Sequence, residues 1–220
     1  MPTDESVSRL LEAWEEIQAR FPRAALQQEV ELSIATARAL AQGRPLSVER
    51  LSDVWGMPPD RATQILEAAR GRTVEVDPEN RLVGAAGLTL NETAHQLTVD
   101  GKRLYAWCSW DAIFLPAYLN TPATIRSAEP VTGNQVFLEV TPDEVTRHEP
   151  QTTVLSILVP SGDSPENLQT GPSSDRCSMM QFFSNREATE DWVAERTNVA
   201  IVTPSEALEV AHRTWLNLLN

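Results

Sequence analysis

Cys108 and Cys177 are the only thiols in this chain of 220 residues, and each stands among residues that would shape its chemistry. The run Tyr105-Ala106-Trp107-Cys108-Ser109-Trp110-Asp111 falls where a strand-like pattern gives way to a helical one. A cysteine in the first turn of that helix would lie near unpaired backbone N–H groups and the positive end of the helix dipole, both of which favour the thiolate. Asp111, three residues on, shares the helical face and can reach the sulfur or something bound to it. Trp107 and Trp110 supply apolar surface, so charges there interact more strongly than they would in water. Cys177 opens a second run, Cys177-Ser178-Met179-Met180-Gln181-Phe182-Phe183. Two thiolates meeting at one point would make a soft site that selects Hg(II), Cu(I) or Zn(II) over hard cations. Spacing alone does not bring them together. Each residue also fits a structural role, since a cysteine among aromatics is commonly a small buried hydrophobe and an early-helix aspartate commonly complements the dipole. Other chemistries find fewer residues. His95, His148 and His212 are scattered, and there is no phosphate-binding glycine loop, nucleophile elbow or CxxC pair.

The elements that must position these side chains change character along the chain. Val7, Leu10, Leu11, Trp14 and Ile17 line one helical face, and a second helix is expected from Leu26 to Gln42 with Gly43 as its left-handed cap. Ser47 is a candidate N-cap for a short helix ending at Gly56, and Pro58-Pro59 opens another ended by Gly71. Two short helices about a tight turn, followed by Thr73–Val76 and Arg81–Val83, have the pattern of a helix-turn-helix with a wing. From about residue 88 short strands dominate. Asp100-Gly101 suits a type I′ hairpin between Leu97–Val99 and Arg103–Tyr105. Further strands are expected at Thr124–Ser127, Val136–Val140, Val154–Val159, Ser178–Phe183 and Val199–Val202. A helix following Cys108 should end near Pro116. Thr203-Pro204-Ser205-Glu206 has the form of a capping box opening a terminal helix. Pro160–Asp175, rich in Ser, Gly, Pro and Asp, is the longest loop-like stretch and leads to Cys177. The fold class is α+β, divided into a helical part over 1–85 and a sheet-rich part over 86–220.

Composition narrows the partners. With 41% apolar residues the chain can bury a substantial core, and no run approaches the ~20 apolar residues of a membrane span. The start, Met1-Pro2-Thr3-Asp4-Glu5, lacks the basic and apolar regions of a secretory signal, so a cytoplasmic location and two reduced thiols are expected. A net charge of −13 repels phosphate backbones. Within residues 1–72 nine arginines face eleven carboxylates, a net of −2, whereas a DNA reader concentrates positive charge on its groove-facing helix. Nucleic acid and membrane are therefore not expected partners.

Taken together, several landmarks resemble the organomercurial (alkylmercury) lyase family. They are Gly43-Arg44-Pro45, Gly87-Leu88-Thr89-Leu90 with Glu92-Thr93, and Arg103-Leu104-Tyr105-Ala106-Trp107-Cys108 with Asp111. Further on come Thr132-Gly133, Pro142, Cys177 leading to Phe182-Phe183, Glu190-Asp191-Trp192 and Glu206-Ala207. The resemblance runs from about Ala41 to about Ala211. It implies a winged-helix-like N-terminal domain joined to a mixed-sheet catalytic domain. It implies protonolysis of a carbon–mercury bond in mercuric resistance and detoxification, with Cys108, Cys177 and Asp111 as the catalytic residues. The substrate is then an organomercurial, and the product Hg(II) rests on the two cysteines with Asp111 as a third ligand. No tightly bound cofactor is implied; free cellular thiols or a mercuric reductase would take the product. Two positions depart from some members, which have cysteines where this chain has Ser178 and Glu129. Two rival readings are a non-catalytic mercury- or copper-binding sensor on the same fold and a regulator using the N-terminal helices. Asp111 favours the enzyme, because binding alone needs only thiolates.

Overall fold

The computed structural model describes residues 3–160 and 175–219. Four helices come first: α1 (Thr3–Gln18), α2 (Arg23–Leu40), α3 (Val48–Trp55) and α4 (Pro59–Ala69). Their apolar stripes face inward, with Leu10, Leu40, Leu51 and Leu66 almost wholly buried. Ser47 caps α3 by accepting from the Arg50 N–H, and Gly56 ends it in the left-handed region. The end of α2 differs from expectation. Ala41 is its cap in ordinary helical geometry, and Gly43, at φ +76°, lies further on and donates to the Leu40 carbonyl.

Strands β1 (Val74–Val76) and β2 (Leu82–Ala85) form the expected hairpin after α4. It does not stand apart. An eight-stranded sheet runs in the order β1, β2, β3 (Leu88–Thr89), β5 (Lys102–Ala106), β4 (His95–Val99), β6 (Ala123–Ala128), β7 (Gln135–Val140), β8 (Val145–Glu149). The β4–β5 hairpin turns through Asp100 and Gly101, both at positive φ as a type I′ turn requires. Strand β8 was not expected, because Val145–Glu149 is mostly exposed and has no apolar alternation.

Helix α5 (Ser109–Leu119) follows β5 and passes through Pro116 instead of ending there. Nine of its eleven residues are buried, so packing outweighs the one backbone hydrogen bond that proline removes. Asn120, at φ +53°, closes it. A smaller sheet has the order β10 (Phe182–Phe183), β9 (Val154–Leu158), β11 (Val199–Val202). Helices α6 (Asp175–Ser178), α7 (Arg186–Val193) and α8 (Pro204–Thr214) complete the second half, and α8 carries the expected capping box between Thr203 and Glu206. The expected strand Ser178–Phe183 shrinks to Phe182–Phe183, since the residues before it form a helical turn instead. Residues 161–174 of the expected loop lie outside the described residues. Where a mixed sheet was expected, every pairing of named strands is antiparallel. The architecture is thus helices packed on antiparallel sheets. One continuous core runs from Val7 on α1 to Ala211 on α8, with α5 set between α2, α8 and strands of both sheets. No helix among the described residues is long and apolar enough to cross a membrane.

Candidate active site

The site is built where β5 hands over to α5. Leu104 and Ala106 point into the core on alternate positions, and the chain then leaves the ladder at Trp107, whose N–H donates to the Gly87 carbonyl at 3.0 Å. Cys108 is extended (φ −149°, ψ 176°) and acts as the N-cap of α5 instead of lying in its first turn. Its sulfur accepts from the Asp111 N–H at 3.5 Å, and its thiol donates to Asp111 Oδ2 at 3.1 Å. Both side chains are at most 1% exposed.

Three contacts bring the second cysteine to this point. Ser109 N–H donates to the Met180 carbonyl at 3.1 Å, across more than seventy residues of sequence. Met180 N–H in turn donates to the Cys177 carbonyl at 3.1 Å, so the segment is a tight turn and not a strand. Ser156 on β9 holds the turn from behind, donating to the Met179 carbonyl at 2.8 Å and accepting from Gln181 N–H at 3.0 Å. The result is that ligand atoms of Cys108, Asp111 and Cys177 all lie within 4.8 Å of one another, and all three residues are buried. Among the described residues this is the one place where three such side chains converge.

Electrostatics at this point run against the expectation for Cys108. Burial pushes its thiol well above the ordinary range, and a hydrogen bond with Cys177 and the Asp111 charge push in the same direction. Desolvation therefore outweighs the helix dipole, and the resting thiol keeps its proton. Asp111 is raised from 3.8 to about 6, again by burial, against hydrogen bonds from Cys108 that favour the carboxylate. A carboxyl poised near neutrality, holding a proton donor 3.1 Å away, is suited to carry that proton.

Asp111 opens onto a cavity of about 260 Å³. Trp107, Trp110 and Phe114 form its apolar walls with Trp14 from α1, Val30 from α2 and Trp215. Arg176, next to Cys177, also lines it; burial lowers the Arg176 pKa, and its Nε has no hydrogen-bond partner among the described residues.

Two residues that shape the triad were not read as site residues from the sequence, where Gly87 stood only as a family landmark and Ser156 was not singled out. Gly87 is the second residue of the tight turn Ala86-Gly87 joining β2 to β3, both at positive φ. A Cβ on Gly87 would stand 2.7 Å from Asp111 Cγ, so the turn approaches the carboxylate as only glycine allows. Ser156 lies within an apolar strand pattern, and its only signal was being a polar residue among buried neighbours. Of the two departures, Ser178 is exposed, while Glu129 is buried away from the triad. Burial pushes the Glu129 carboxyl up, but hydrogen bonds from Thr132, Ser184 N–H and Asn134 outweigh it and leave it below its ordinary value. His95, buried and shifted down to about 4 by desolvation, pairs with Ser127 at 2.8 Å and takes no part in the triad. His148 and His212 bond backbone carbonyls elsewhere.

A buried pair of thiols sharing one point with a carboxyl that accepts a hydrogen bond from one of them is the arrangement of a soft-metal thiolate protein able to carry a proton at the same point. Residues 88–216 match the alkylmercury lyase family. An alkylmercury lyase of Streptomyces lividans is 36% identical over 171 residues, covering 78% of this chain and 75% of that one. One of Pseudomonas putida is 33% identical over 181 residues, covering 82% and 81%. The fold matches the crystal structure of the mercury-bound form of MerB2 with a TM-score of 0.71 at 20% identity, over 97% of this chain and 100% of that one. The chain belongs to the alkylmercury lyase family.

Proposed function

We propose that this protein cleaves carbon–mercury bonds by protonolysis, releasing a hydrocarbon and keeping Hg(II) on Cys108 and Cys177 with Asp111 beside it. The observation that carries this reading is the 3.1 Å hydrogen bond from the Cys108 thiol to Asp111, inside a group whose ligand atoms lie within 4.8 Å. One mercury atom bridging two thiolates needs sulfurs roughly 4–5 Å apart, as soft-metal thiolate sites have them.

In a cell the substrate arrives as an organomercury thiolate. Two protein thiols then bind mercury, two thiol protons are released, and two mercury bonds break. One proton goes to the departing thiolate and the other to carbon, giving a free thiol, a hydrocarbon and Hg(II) on two cysteine sulfurs. Asp111 accepts the Cys108 proton as that sulfur bonds mercury, and passes it to the carbon. Sulfur donation from both cysteines pushes electron density toward that carbon, so the C–Hg bond is weakest when the proton is delivered. The apolar walls exclude water, which keeps the proton on this path.

Free thiols, or a mercuric reductase, then remove Hg(II) by exchange. The chemistry calls on no resident cofactor, and a reducing cytoplasm would keep both cysteines available. The region through residue 85, with helix-turn-helix α3–α4 and hairpin β1–β2, is read as a winged-helix-like domain turned to a new use. Its helices α1 and α2 wall the cavity in place of reading DNA. A sensor that merely binds mercury is less well supported, since it needs no carboxyl with a raised pKa against the thiol. Incubation with methylmercury and excess thiol should release methane, measured by headspace chromatography. Stoichiometric Hg capture without methane would overturn the lyase in favour of the binder.

A further inference from the structure

Arg176 stands next to Cys177 in the chain and lines the same cavity as Asp111. Among the described residues lining that cavity it is the one cation, set with two carboxylates, Asp111 and the exposed Glu29, among walls that are largely apolar. Its Nε is wholly buried and has no hydrogen-bond partner among the described residues. A charged donor left unpaired in a buried place costs free energy, and an anionic ligand removes that cost. Arg196, also half-buried, shows the contrast: its guanidinium lies over the Trp192 ring, 3.8 Å from the centroid, and donates to the Trp192 carbonyl. A carboxylate is the anion that a guanidinium fits best, because two parallel N–H groups meet two oxygens. Both ends of the proposed reaction bring a thiol to this place, one bound to the arriving organomercurial and others that take Hg(II) away. Cysteine and its peptides carry a carboxylate a few bonds from sulfur, which suits a cation one residue from Cys177.

We propose that Arg176 binds the carboxylate of the thiol that exchanges with mercury at this site, so that the protein selects anionic thiols. The proposal rests on the lyase reading above and adds the class of its thiol co-substrate. In the exit step an incoming thiol bonds mercury through sulfur, one cysteine–mercury bond breaks, and the thiol proton passes to the cysteine released. A second thiol repeats the exchange, and Hg(II) leaves bound to two thiolates. Arg176 takes no part in these bond changes. It holds the carboxylate while the sulfur reaches mercury, so its effect belongs to the affinity for the thiol.

The test loads the full-length protein with Hg(II), adds mercaptopropionate, mercaptoethanol or cysteamine, and measures the mercury left on the protein after rapid gel filtration. These thiols are anionic, neutral and cationic. No organic group is present in this exchange, so a charge preference reports the thiol and not the hydrocarbon side of the substrate. Arg176→Gln should raise the half-saturating concentration of mercaptopropionate about tenfold relative to that of mercaptoethanol, the scale of one hydrogen bond to a charged group. Cysteamine should shift the other way, and Arg176→Lys, a milder variant that keeps the charge, should retain part of the preference. Comparing each thiol between wild type and variant cancels its intrinsic reactivity, and a role in holding the Cys177 turn or its thiolate would move all three alike. An equal effect on the three thiols, or none, would overturn the subsite. Methane release from methylmercury carried by each thiol is measured beside it, where the same ratio should appear in KM. Methane without a charge preference would sink the subsite and leave the lyase standing. A charge preference in the exchange with no methane from any adduct would support the subsite and overturn the lyase.

Discussion

At the scale of single residues, the triad is decided by what burial does to two protons. The Asp111 carboxyl, raised from 3.8 to about 6, must be ionised to take the Cys108 proton, so kcat/KM should rise as pH climbs through about 6. No loss is expected until pH passes the ordinary thiol range, since Cys108 is pushed well above it. The same shift sets a stability profile. With the folded value above the unfolded one, the group's contribution is complete below about 3.8, declines as pH rises toward about 6 and is lost beyond it, a difference of roughly 3 kcal/mol. Asp111→Asn removes that penalty, so it should melt higher than the wild type at neutral pH while turnover drops by ~10²–10⁴-fold. Titration should show Hg(II) still bound through two thiols. Near-normal hydrocarbon release from the Asn variant would mean that another group supplies the proton. Gly87→Ala tests the neighbouring turn. Its methyl group would meet Asp111 at 2.7 Å from a backbone at φ +82°, so the carboxylate must move. We expect a loss of ~1–2 kcal/mol from the left-handed backbone and up to ~10²-fold in turnover from the displaced proton carrier. Unchanged kinetics would show that the carboxylate tolerates the shift.

At the scale of elements, a helix start and a turn share the chemistry. Cys108 serves as N-cap of α5, a place where serine is among the preferred residues. Cys108→Ser should therefore fold and melt within ~1 kcal/mol of the wild type, yet lose both Hg(II) capture and turnover, because a hydroxyl is a hard ligand. A Ser variant that retained the sulfur–mercury charge-transfer band would place capture elsewhere. Cys177 depends on an element of only four residues, α6, which cannot hold its own geometry. Ser156 supplies that geometry through its two bonds to the Met179–Gln181 backbone. Ser156→Ala should cost ~1–3 kcal/mol by leaving those buried groups unpaired, and should lower turnover by loosening one sulfur. Equilibrium unfolding and the same absorption band report the two effects separately, and a variant stable but unimpaired would deny the turn its role.

At the scale of the whole molecule, the N-terminal helices are tied to the site by packing. Trp14 on α1 meets Trp215 edge to face with ring centroids 4.8 Å apart, and both line the cavity beside Asp111. Strands β1 and β2 continue the large sheet, so the hairpin's β2 edge is paired to β3. The charge balance points the same way, with −2 over residues 1–72 and −13 overall. Too few cations are present to displace counterions from a duplex, so random DNA should not bind at micromolar concentration in ~150 mM salt. Fluorescence anisotropy with full-length protein checks this, and micromolar binding would favour a regulatory role for α3 and α4.

Local chemistry was enough to recover much of the molecule from sequence. The Ser47 cap, the Asp100-Gly101 hairpin and the Thr203–Glu206 capping box each depend on a few neighbouring residues, and each appears where those residues stand. Cys108 and Asp111 stand three positions apart on one helix start, so their meeting was legible as well. Where neighbours were not enough, the tertiary structure decided. Pro116 stays inside α5 because packing on nearly all sides outweighs one lost hydrogen bond, and no pattern within the helix states that balance. Met179-Met180 reads as strand but turns, because Ser109 and Ser156 claim its backbone from distant segments. Gly87 lies against Asp111 only once β3 has paired with β5. A place in the first turn of the helix would favour the Cys108 thiolate, whereas burial pushes the thiol the other way, since desolvation is a property of everything packed around a group and not of the residues beside it.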